Sequence, residues 1–420
     1  MADLTEAGFK ERTRVSKARE LLLDVPPIER TERIPLSVAD GRTVAEPIDA
    51  VMNVPHYARA AMDGWAVRAE DTFGASNRSP AVVRPDESAG PDRAVRVHTG
   101  SELPEGADAV VMIEETERVG DELEVFDAVA TGENVGPVGE DVEAGQRLYE
   151  PGHTLRPSDL GLLKGTGVDT VEAVDHPQVA IVPTGEELVQ ADPEPGEIIE
   201  TNRFTISRLA ERWGADVARR DIVTDDREAL RAAIQRDLVR DVVVTTGGSS
   251  VGERDLIPDV VDDLGEVLVH GVALKPGHPV ALGRVEGTTV VMLPGYPVAC
   301  IVNAVQFLRP LIKHLGRMAV EPLPGREATL ARKIRSEPGV RTFVRVTLEA
   351  EAGREVDGDV DVDIDGDADA TDLRATPTRA SGAGVLSSVA LADGWVVVEE
   401  RREGIPAGES VAVENWEYHA

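Results

Sequence analysis

The side chains that could do chemistry lie where runs of β-branched residues stop. One such run, DVVV, leads into the segment TTGGSSVGERD at 245–255. Its paired glycines, Gly247 and Gly248, let the backbone approach a bound group, and consecutive amides favour an anion. Ligands of α/β sheets bind beyond the carboxyl ends of strands. The segment therefore predicts an anion site that includes Ser249, although an ordinary loop with Asp255 capping the next helix is the alternative.

Acidic residues follow two further strand ends. Glu186 and Glu187 come directly after a Thr-Gly turn, and Asp225 and Asp226 follow a strand that ends at Val223. Three acidic groups at neighbouring strand ends could hold Mg²⁺, because this ion takes hard oxygen ligands and keeps several waters. A helix cap at Asp225 or Asp226 is the alternative, since Asp is a preferred residue at that position.

Another strand end and the turn before that strand carry groups suited to an anion. In LPGYPVAC, Gly295 turns the chain and Pro297 stands at a favoured first position of a helix, which leaves helix amides open to a ligand. Upstream, ALKPGHPVAL places Lys275 in a Pro-Gly turn. Because the chain has only six lysines, we expect Lys275 to bind an anion; a solvated surface lysine is the alternative.

The sequence ARAAMDGWAVRAED, at 58–71, stands out from its surroundings. Its Asp63-Gly64 pair can form a turn that presents the carboxylate of Asp63. Taken alone, this segment predicts a turn and nothing more. The segments 97–115 and 131–145 are similarly punctuated by glycine and carry acidic residues.

The secondary structure that must position these groups changes along the chain, from helix to strands, then to alternating strands and helices, and back to strands. An amphipathic helix near the N-terminus stops at Pro26, and SDLGLLKGTG predicts a short helix with Ser158 as its N-cap. Val-rich runs before 139 predict strands, alternating strands and helices from 177 predict a parallel sheet, and the later segments, GVLSSVA among them, predict strands again. The fold class is therefore α/β plus β. We predict four domains: a helical and mixed domain formed by residues 1–48 and 140–176, an inserted β domain (49–139), an α/β domain (177–319) and a C-terminal β domain (320–420).

Composition narrows the class of protein. A length of 420 residues suggests about two to four domains, and a hydrophobic content of 41% is enough for real cores. No run of about 18 apolar residues occurs, and the N-terminus lacks the apolar segment of a secretory signal. We therefore expect a cytoplasmic protein without a membrane span. A single cysteine, Cys300, excludes disulfides within the chain and a Cys-rich zinc site.

The charge is strongly negative. A net charge of −33 predicts that neither nucleic acid nor anionic lipid is a partner. Arginine supplies 38 of the 44 basic residues. An acidic, lysine-poor surface is typical of a high-salt cytoplasm, as in a halophilic archaeon, where about 1 M salt shortens the Debye length to about 3 Å. An acidic protein from an ordinary cytoplasm is the alternative.

Seven segments together resemble the molybdopterin molybdenumtransferase family, which includes bacterial MoeA and the E domain of gephyrin. In chain order they are AAMDGWA, TGSELPEGADAVV, GENVGPVGED, TGEEL, TTGGSSVGERD, KPGHP and LPGYPVA. The family patterns are close to AMDGYA, TG-x-x-LP-x-GADAVV, GE-x-x-R-x-x-GED, TGDEL, SSGG-x-SVGE-x-D, KPGKP and LPGNPVS. The family fold is an elongated four-part chain with an α/β domain that resembles the molybdopterin adenylyltransferase MogA, which agrees with the partition above.

The resemblance implies a molybdenum insertase. Such an enzyme takes adenylated molybdopterin and molybdate, inserts the metal at the dithiolene and releases AMP, with Mg²⁺ assisting. The family is a homodimer whose site lies between subunits, the β insertion of one facing the α/β domain of the other, and contact with the adenylyltransferase is also implied. By position, the catalytic residues are Asp63, Glu187 and Asp255, the metal ligands are Glu187, Asp225 and Asp255, and the substrate-binding residues are Thr99, Asp141, Gly247, Gly248, Ser249, Lys275, Pro294 and Pro297.

The chain departs from the family pattern where that pattern carries cations. Gly136 and Val138 replace basic residues of the GED segment, Gly271 replaces a lysine, and His278 replaces the second lysine of KPGKP. Each lost charged hydrogen bond could weaken anion binding by about 1.5–3 kcal/mol. The further departures are Tyr296 and Ala383, and the arginines that could compensate are Arg84, Arg156 and Arg254.

These departures keep other functions open. One is a tungstate-preferring paralogue, and another is a non-catalytic scaffold or cofactor-binding dimer. A nucleotide pyrophosphatase or adenylyltransferase that uses only the TTGG domain is a third, although it would not need the β insertion. Finally, DVDIDGDADATD at 361–372 has the spacing of a calcium loop. Because its twelfth residue is Asp and its flanks are not helical, we expect a solvated acidic loop there.

Overall fold

A computed structural model describes residues 12–247, 256–350, 373–378 and 384–418. By its contacts the chain divides into two compact units. The large unit joins Met1–Arg30 to Asp175–Ala420, and the small unit is Thr31–Val174. The predicted segment 1–48 is thus divided at Arg30, because its first helix packs into the apolar core of the large unit. The division into four domains as a whole stays a prediction.

A mixed six-stranded sheet forms the centre of the large unit. Four of its strands are parallel and lie in the order Asp216–Arg219, Gln178–Pro183, Val242–Thr246 and Thr288–Leu293. Nearly every residue of the last three is buried, as continuous β-branched runs predict for strands covered on both faces. The predicted parallel sheet is confirmed for these four strands.

Two strands that we did not predict complete this sheet. Ala281–Val285 pairs antiparallel with Thr288–Leu293, and Glu266–His270 pairs antiparallel with Ala281–Val285 at the edge. The connection between the two strands, 271–280, is shorter than the crossover of about a dozen residues that parallel pairing needs. The sheet is therefore mixed rather than wholly parallel.

Helices cover both faces of the sheet, since alternate residues of the inner strands belong to two separate apolar clusters. One cluster contains the first helix, and the other contains the two helices that precede and follow Val242–Thr246. Besides a short helix near the C-terminus, the helices described in the large unit are Val15–Leu22, Asn202–Arg212, Arg227–Asp237, Leu256–Leu264 and Pro297–Leu315, the last made of Pro297–Asn303, a π-helical turn at Ala304–Leu308, and Arg309–Leu315.

Pro297–Leu315 is also the one helix of the described chain that is long and apolar enough to cross a membrane. In its most apolar window, 94% is buried inside the fold. Burial of this kind is what a central core helix shows, and the helix belongs to the same apolar cluster as the first helix.

The C-terminal region of the large unit is a barrel-like sheet. Its strands follow the order Leu274–Lys275, Arg341–Ala350, Leu373–Pro377, Gly325–Leu330, Ser410–Glu414 and Gly394–Val398, and the last pairs back with Arg341–Ala350, which closes a ring of five. A separate pair joins Ile334–Arg335 to Gly404–Ile405. The strand predicted at GVLSSVA is wrong, because Ser387–Ala390 is a short helix.

The small unit contains the predicted β-rich region. Its six-stranded sheet has the order Ala109–Met112, Gly64–Val67, Arg93–Val97, Ala81–Pro85, Glu122–Val125 and Thr116–Val119. Three two-stranded pairs accompany it: Thr31–Pro35 with Thr170–Val174, Ile48–Asp49 with Arg147–Tyr149, and Arg59–Ala60 with Val135–Gly136.

A single α-helix, Pro157–Gly165, occurs within the small unit. The predicted N-cap at Ser158 is wrong, because the helix begins one residue earlier and Arg156 precedes it. The carboxylate of Asp159 accepts the backbone N–H of Arg156 (2.9 Å), which satisfies a donor at the helix start. Pro157 occupies the first helical position, where its missing N–H costs nothing.

Candidate functional site

Backbone atoms hold the carboxyl ends of the inner strands of the large unit together. Thr184 donates its N–H to the carbonyl oxygen of Thr246 (3.0 Å), and Gly247 donates to that of Leu293 (3.1 Å). Gly247 has φ +112°, and a Cβ atom there would lie 2.2 Å from the carbonyl oxygen of Thr184. Only glycine fits, because both its conformation and its close approach to another backbone exclude a side chain.

Buried hydroxyl groups lie beside this backbone contact. The Oγ1 atoms of Thr184, Thr245 and Thr246 are buried and make no hydrogen bond to any residue within the described ranges. Buried hydroxyls almost always have a partner, which for these three would be a ligand or a residue outside the described ranges. Their position at the carboxyl ends of the strands makes them candidates for contact with a ligand.

Glu187 lies directly over the turn after the first inner strand. A Cβ atom on Gly185, whose φ is +146°, would lie 2.6 Å from Oε2 of Glu187. The Glu187 side chain is exposed, so its carboxylate is open to a ligand or a cation. Gly185 donates its N–H to the carbonyl oxygen of Val223 (3.2 Å), and the segment that carries Asp225 therefore follows the same edge of the sheet.

The two adjacent aspartates at this edge have different positions. Asp226 caps the helix Arg227–Asp237, accepting the N–H of Ala229 (2.9 Å), as one of the two alternatives for this pair predicts. Asp225 directly precedes the cap and is the residue of the pair that we predicted as a metal ligand.

Carboxylate oxygens are the donors that Mg²⁺ prefers, so Glu187 and Asp225 fit this cation in chemistry. The described residues contain no group of three or more His, Cys, Asp or Glu side chains that could hold a metal ion. The third predicted ligand, Asp255, lies outside them, together with Gly248, Ser249, Arg254, Ala383 and the acidic segment 361–372.

Lys275 is paired rather than open. Its Nζ lies 2.9 Å from Oε1 of Glu337, and the ammonium lowers the pKa of that carboxyl group. Both side chains are more than half exposed, so the pair is weak and an anionic ligand could displace the carboxylate. Burial, assisted by the positive charges of Arg12 and Lys275, lowers the pKa of His278. His278 is therefore neutral near pH 7 and does not replace the charge of the lysine in the family pattern.

The loop after the last parallel strand has the predicted form. Pro294 is buried, and Pro297 stands at the first position of the long helix. Asn202, at the start of another helix, donates through Nδ2 to the carbonyl oxygen of Gly295 (2.6 Å). We did not single out Asn202 from the sequence, although the ETNR segment between a strand and a helix was a possible signal.

In the small unit, the structure brings Asp63 and Thr99 together. Oδ1 of Asp63 accepts both the backbone N–H of Thr99 (2.7 Å) and its hydroxyl (2.8 Å), and Nδ1 of His98 lies 3.7 Å from Oδ2. The hydrogen bonds from Thr99, and then the proximity of His98, lower the pKa of Asp63. The carboxylate is therefore ionised and fixed, yet exposed, which suits a group that contacts a ligand.

The side chain of Arg59 fills the space beside Gly136 that a larger residue at position 136 would occupy. A Cβ atom on Gly136 would lie 3.1 Å from both Cγ and Nε of Arg59 and 2.7 Å from Oε2 of Glu140. Arg59 pairs with Glu140 (3.3 Å), one residue before Asp141, whose side chain is exposed. Sequence reasoning missed Arg59, because residues 59 and 136 meet only through strand pairing.

The arginines proposed as compensating cations have other environments. Arg156 is bound to Asp159 through Nε (3.1 Å) and Nη2 (3.0 Å), so it serves the helix start. Arg84 is exposed in the strand Ala81–Pro85. Arg59 is thus the arginine that the described structure places beside the position where the family pattern has one.

Three family descriptions match successive regions of the chain. The MoeA N-terminal region (domains I and II) matches residues 13–167, a molybdopterin binding domain of the MoCF_biosynth family matches 180–314, and the MoeA C-terminal region (domain IV) matches 364–416.

Relatives and solved structures agree with these matches. A protein of Methanocaldococcus jannaschii named for molybdopterin biosynthesis is 34% identical, over 92% of each chain. The molybdopterin molybdenumtransferase of Bacillus subtilis is 36% identical over 53% of this chain, and the alignment spans about half of that relative (56%). A crystal structure of a molybdopterin biosynthesis MoeA protein from Pyrococcus horikoshii superposes with a TM-score of 0.80 at 32% identity, covering 97% of this chain and 99% of that one.

Proposed function

Because this chain belongs to the MoeA family of molybdopterin biosynthesis proteins, we propose that it is a molybdopterin molybdenumtransferase. In this proposal it takes adenylated molybdopterin and molybdate, inserts the metal at the dithiolene and releases AMP. The observation that carries the proposal is the close backbone contact between Thr184, Thr246 and Gly247 at the carboxyl ends of the inner strands of the large unit. Curated relatives with matching sequence carry the name of this activity, which supports it further.

At the strand edge, the protein's own groups would bind and orient the phosphates. The start of the long helix suits an oxyanion, because unpaired amides and the helix dipole favour negative charge there. The buried hydroxyls of Thr184 and Thr246 could donate to the same oxygens. Lys275 would exchange Glu337 for a substrate anion, since an exposed ion pair is weak.

Magnesium would be held by Glu187, Asp225 and Asp255 in this proposal. A divalent cation supplies neutralisation of the charge that develops when a phosphoanhydride is cleaved. Glu187, which is exposed over a glycine turn, is also a candidate to orient the attacking water.

The small unit would supply the remaining contacts. Asp63 and Thr99 are already joined by two hydrogen bonds, so the carboxylate is held in one orientation without being buried. Asp141 and Arg59 lie on the neighbouring GED segment and its paired strand. We propose that these groups complete the site of a second copy in a homodimer, as in the family arrangement.

Arg59 would provide the charge that the family pattern has at position 136. Its side chain occupies the space over Gly136, so an arginine at 136 and the present position of Arg59 exclude each other. The choice between molybdate and tungstate would then depend on Arg59, Lys275 and the neutral His278. In the same proposal the protein is cytoplasmic and receives its substrate from an adenylyl-transferring enzyme.

The test is an assay of the purified full-length protein with adenylated molybdopterin, Mg²⁺ and molybdate or tungstate. We expect AMP release together with a cofactor that reconstitutes a molybdenum apo-enzyme. Asp63→Asn and Glu187→Gln should each reduce turnover about a hundredfold or more, the usual contribution of a positioned acid or base. Glu186→Gln is the matched control, because Glu186 is exposed beside Glu187 and should leave turnover unchanged.

The outcomes separate the other functions. Pterin binding without turnover would favour a scaffold, and AMP release without metal insertion would favour a nucleotide hydrolase. Equal activity of Glu187→Gln and the native protein would contradict the proposed site. A higher turnover with tungstate than with molybdate would identify the protein as a tungstate-preferring paralogue.

A further inference from the structure

A cavity of about 310 Å³ lies in the large unit and shares no residue with the site proposed above, although its Arg341 pairs across strands with Leu274, the neighbour of Lys275. It is bounded by the first helix, the second half of the long helix and the C-terminal barrel. Three arginines from these three elements line it: Arg19, Arg309 and Arg341. Its volume is at the small end of the range of ligand pockets, about 300–1,000 Å³, which suits a small molecule rather than a whole pterin nucleotide.

Two of these arginines have only neutral partners. Arg19 donates through Nε to the carbonyl oxygen of Gln306 (3.2 Å) and through Nη2 to its Oε1 (2.9 Å). Arg309 is 7% exposed and donates through Nη2 to the carbonyl oxygen of Glu321 (2.7 Å). Across the ranges that the structure describes, neither guanidinium lies within 4 Å of a carboxylate.

Unpaired buried charge is costly, and here the arginines also repel one another. Burial lowers the pKa of Arg19, and the positive charges of Arg341 and Arg309 lower it further. Burial lowers the pKa of Arg309 as well, against the negative charge of Glu321, which raises it. A protein with 77 acidic residues could have paired each guanidinium with a carboxylate, as it does at buried Arg42, which lies 2.7 Å from Glu32, and at Arg220, which pairs with Asp237.

Of the acidic residues that line the cavity, Glu399 is bound to Arg341 and Glu414 to Trp395, and the side chain of Glu321 acts on Arg309 through its charge alone. Glu399 lies 2.5 Å from Nη2 of Arg341, which is also paired with Glu400 (3.2 Å). Glu414 accepts the indole N–H of Trp395 (2.9 Å). Glu321 contributes its backbone carbonyl to Arg309, and its own side chain is exposed.

We propose that this cavity binds a small, multiply charged oxyanion of the phosphate class. Guanidinium groups from three separate elements can donate to different oxygens of one tetrahedral anion, and Arg is the residue best suited to such recognition. A carboxylate offers two oxygens and one charge, and so matches this arrangement less well. Occupancy would fasten the first helix, the long helix and the barrel together through one ligand.

Calorimetric titration of the full-length protein with inorganic phosphate tests the proposal. Chloride at matched ionic strength is the background, because salt screens the net charge of −33 without occupying a site. We expect saturable binding of phosphate, sulfate or molybdate, with acetate at least about tenfold weaker. Arg309→Gln and Arg19→Gln should each weaken phosphate binding about tenfold or more, as loss of one charged hydrogen bond predicts.

Two control variants locate the binding. Arg326→Gln removes an exposed arginine of the barrel and should leave phosphate affinity unchanged. Lys275→Gln removes a predicted anion contact at the strand edge, so phosphate bound there would be weakened by this variant instead. Should Arg309→Gln fail to fold, as judged by circular dichroism in chloride, Arg19→Gln and Arg309→Lys provide the measurement.

The proposal would be overturned by either of two results. One is phosphate binding no stronger than that of chloride at equal ionic strength. The other is phosphate affinity that survives Arg19→Gln, and Arg309→Gln where that variant folds, but is lost in Lys275→Gln. Neither result would contradict the transferase activity, because the cavity shares no residue with the proposed active site.

Discussion

The strand edge of the large unit and the Asp63 region of the small unit present chemistry in opposite ways. At the strand edge, backbone atoms approach so closely that glycine is required, and buried hydroxyls lie near the exposed Glu187. Around Asp63, an exposed carboxylate is held by hydrogen bonds from the backbone and the side chain of Thr99. One region is shaped by packing and the other by a few surface contacts.

This difference determines what substitutions do. A side chain added at the strand edge meets backbone that cannot move, so fold and function should fail together. A charge removed from the small unit leaves the packing intact, so function should fail alone. The following expectations, ordered from the largest effect to the smallest, can break this contrast or refine it.

Gly247→Ala should have the largest effect. Its Cβ would lie 2.2 Å from the carbonyl oxygen of Thr184, and φ is +112°. We expect loss of activity and destabilisation by about 2 kcal/mol or more, because strain and steric overlap add. Chemical denaturation monitored by circular dichroism, together with the AMP-release assay, measures both effects.

Gly287→Ala is the matched control for that substitution. Gly287 also has a positive φ, +90°, but a Cβ atom there would have no neighbour within 4 Å. It should cost only about 1 kcal/mol, the conformational contribution alone. Equal effects of the two substitutions would show that close backbone approach does not shape the strand edge.

Asp159→Asn tests whether charged groups in the small unit can also stabilise its packing, as well as being exposed for contact with a ligand. Asp159 is 3% exposed and accepts hydrogen bonds from Arg156, His153 and Tyr149. We expect local destabilisation of about 2 kcal/mol at pH 7, since hydrogen bonds to a charged group are lost. Hydrogen exchange of peptides from 147–174 measures this, and Asp169→Asn, in an exposed pair with Lys164, should change exchange little.

The same network predicts a pH dependence. Its hydrogen bonds, first from Arg156, lower the pKa of Asp159 in the folded protein, and burial together with Asp159 raises the pKa of Tyr149 to about 12. Because the folded pKa of Asp159 is depressed, its stabilisation is complete above the unfolded value of about 3.9 and is lost as pH falls below it. An exchange difference between native protein and Asp159→Asn that persists unchanged at pH 2 would contradict this account.

Arg59→Gln should have the smallest effect. We expect the KM for adenylated molybdopterin to rise about tenfold with little change in kcat, because one charged contact to substrate is removed. Arg84→Gln is the control and should change neither constant. Combining Arg59→Ala with Gly136→Arg should restore the KM, since the second arginine would enter the space that the first vacates; failure of this rescue would argue against a shared role.

Much of the fold followed from local patterns. Continuous β-branched runs such as VVVTT predicted buried parallel strands, and Pro297 predicted the start of the long helix. The errors arose where short segments have no strong period of their own. Ser387–Ala390 is helical within a valine-containing run, and Glu266–His270 pairs antiparallel because its connection is short.

The sequence by itself determined the chemistry available at each strand end, because glycine, threonine and acidic residues there are read directly from the chain. It also determined the family, since seven ordered motifs carry the resemblance. Tertiary structure decided which of these groups meet. Arg59 reaches Gly136 through strand pairing, and Arg19 reaches Arg309 and Arg341 through packing of three distant segments. The physical reason is that spacing along the chain governs local conformation, whereas contacts between distant residues depend on how apolar faces pack.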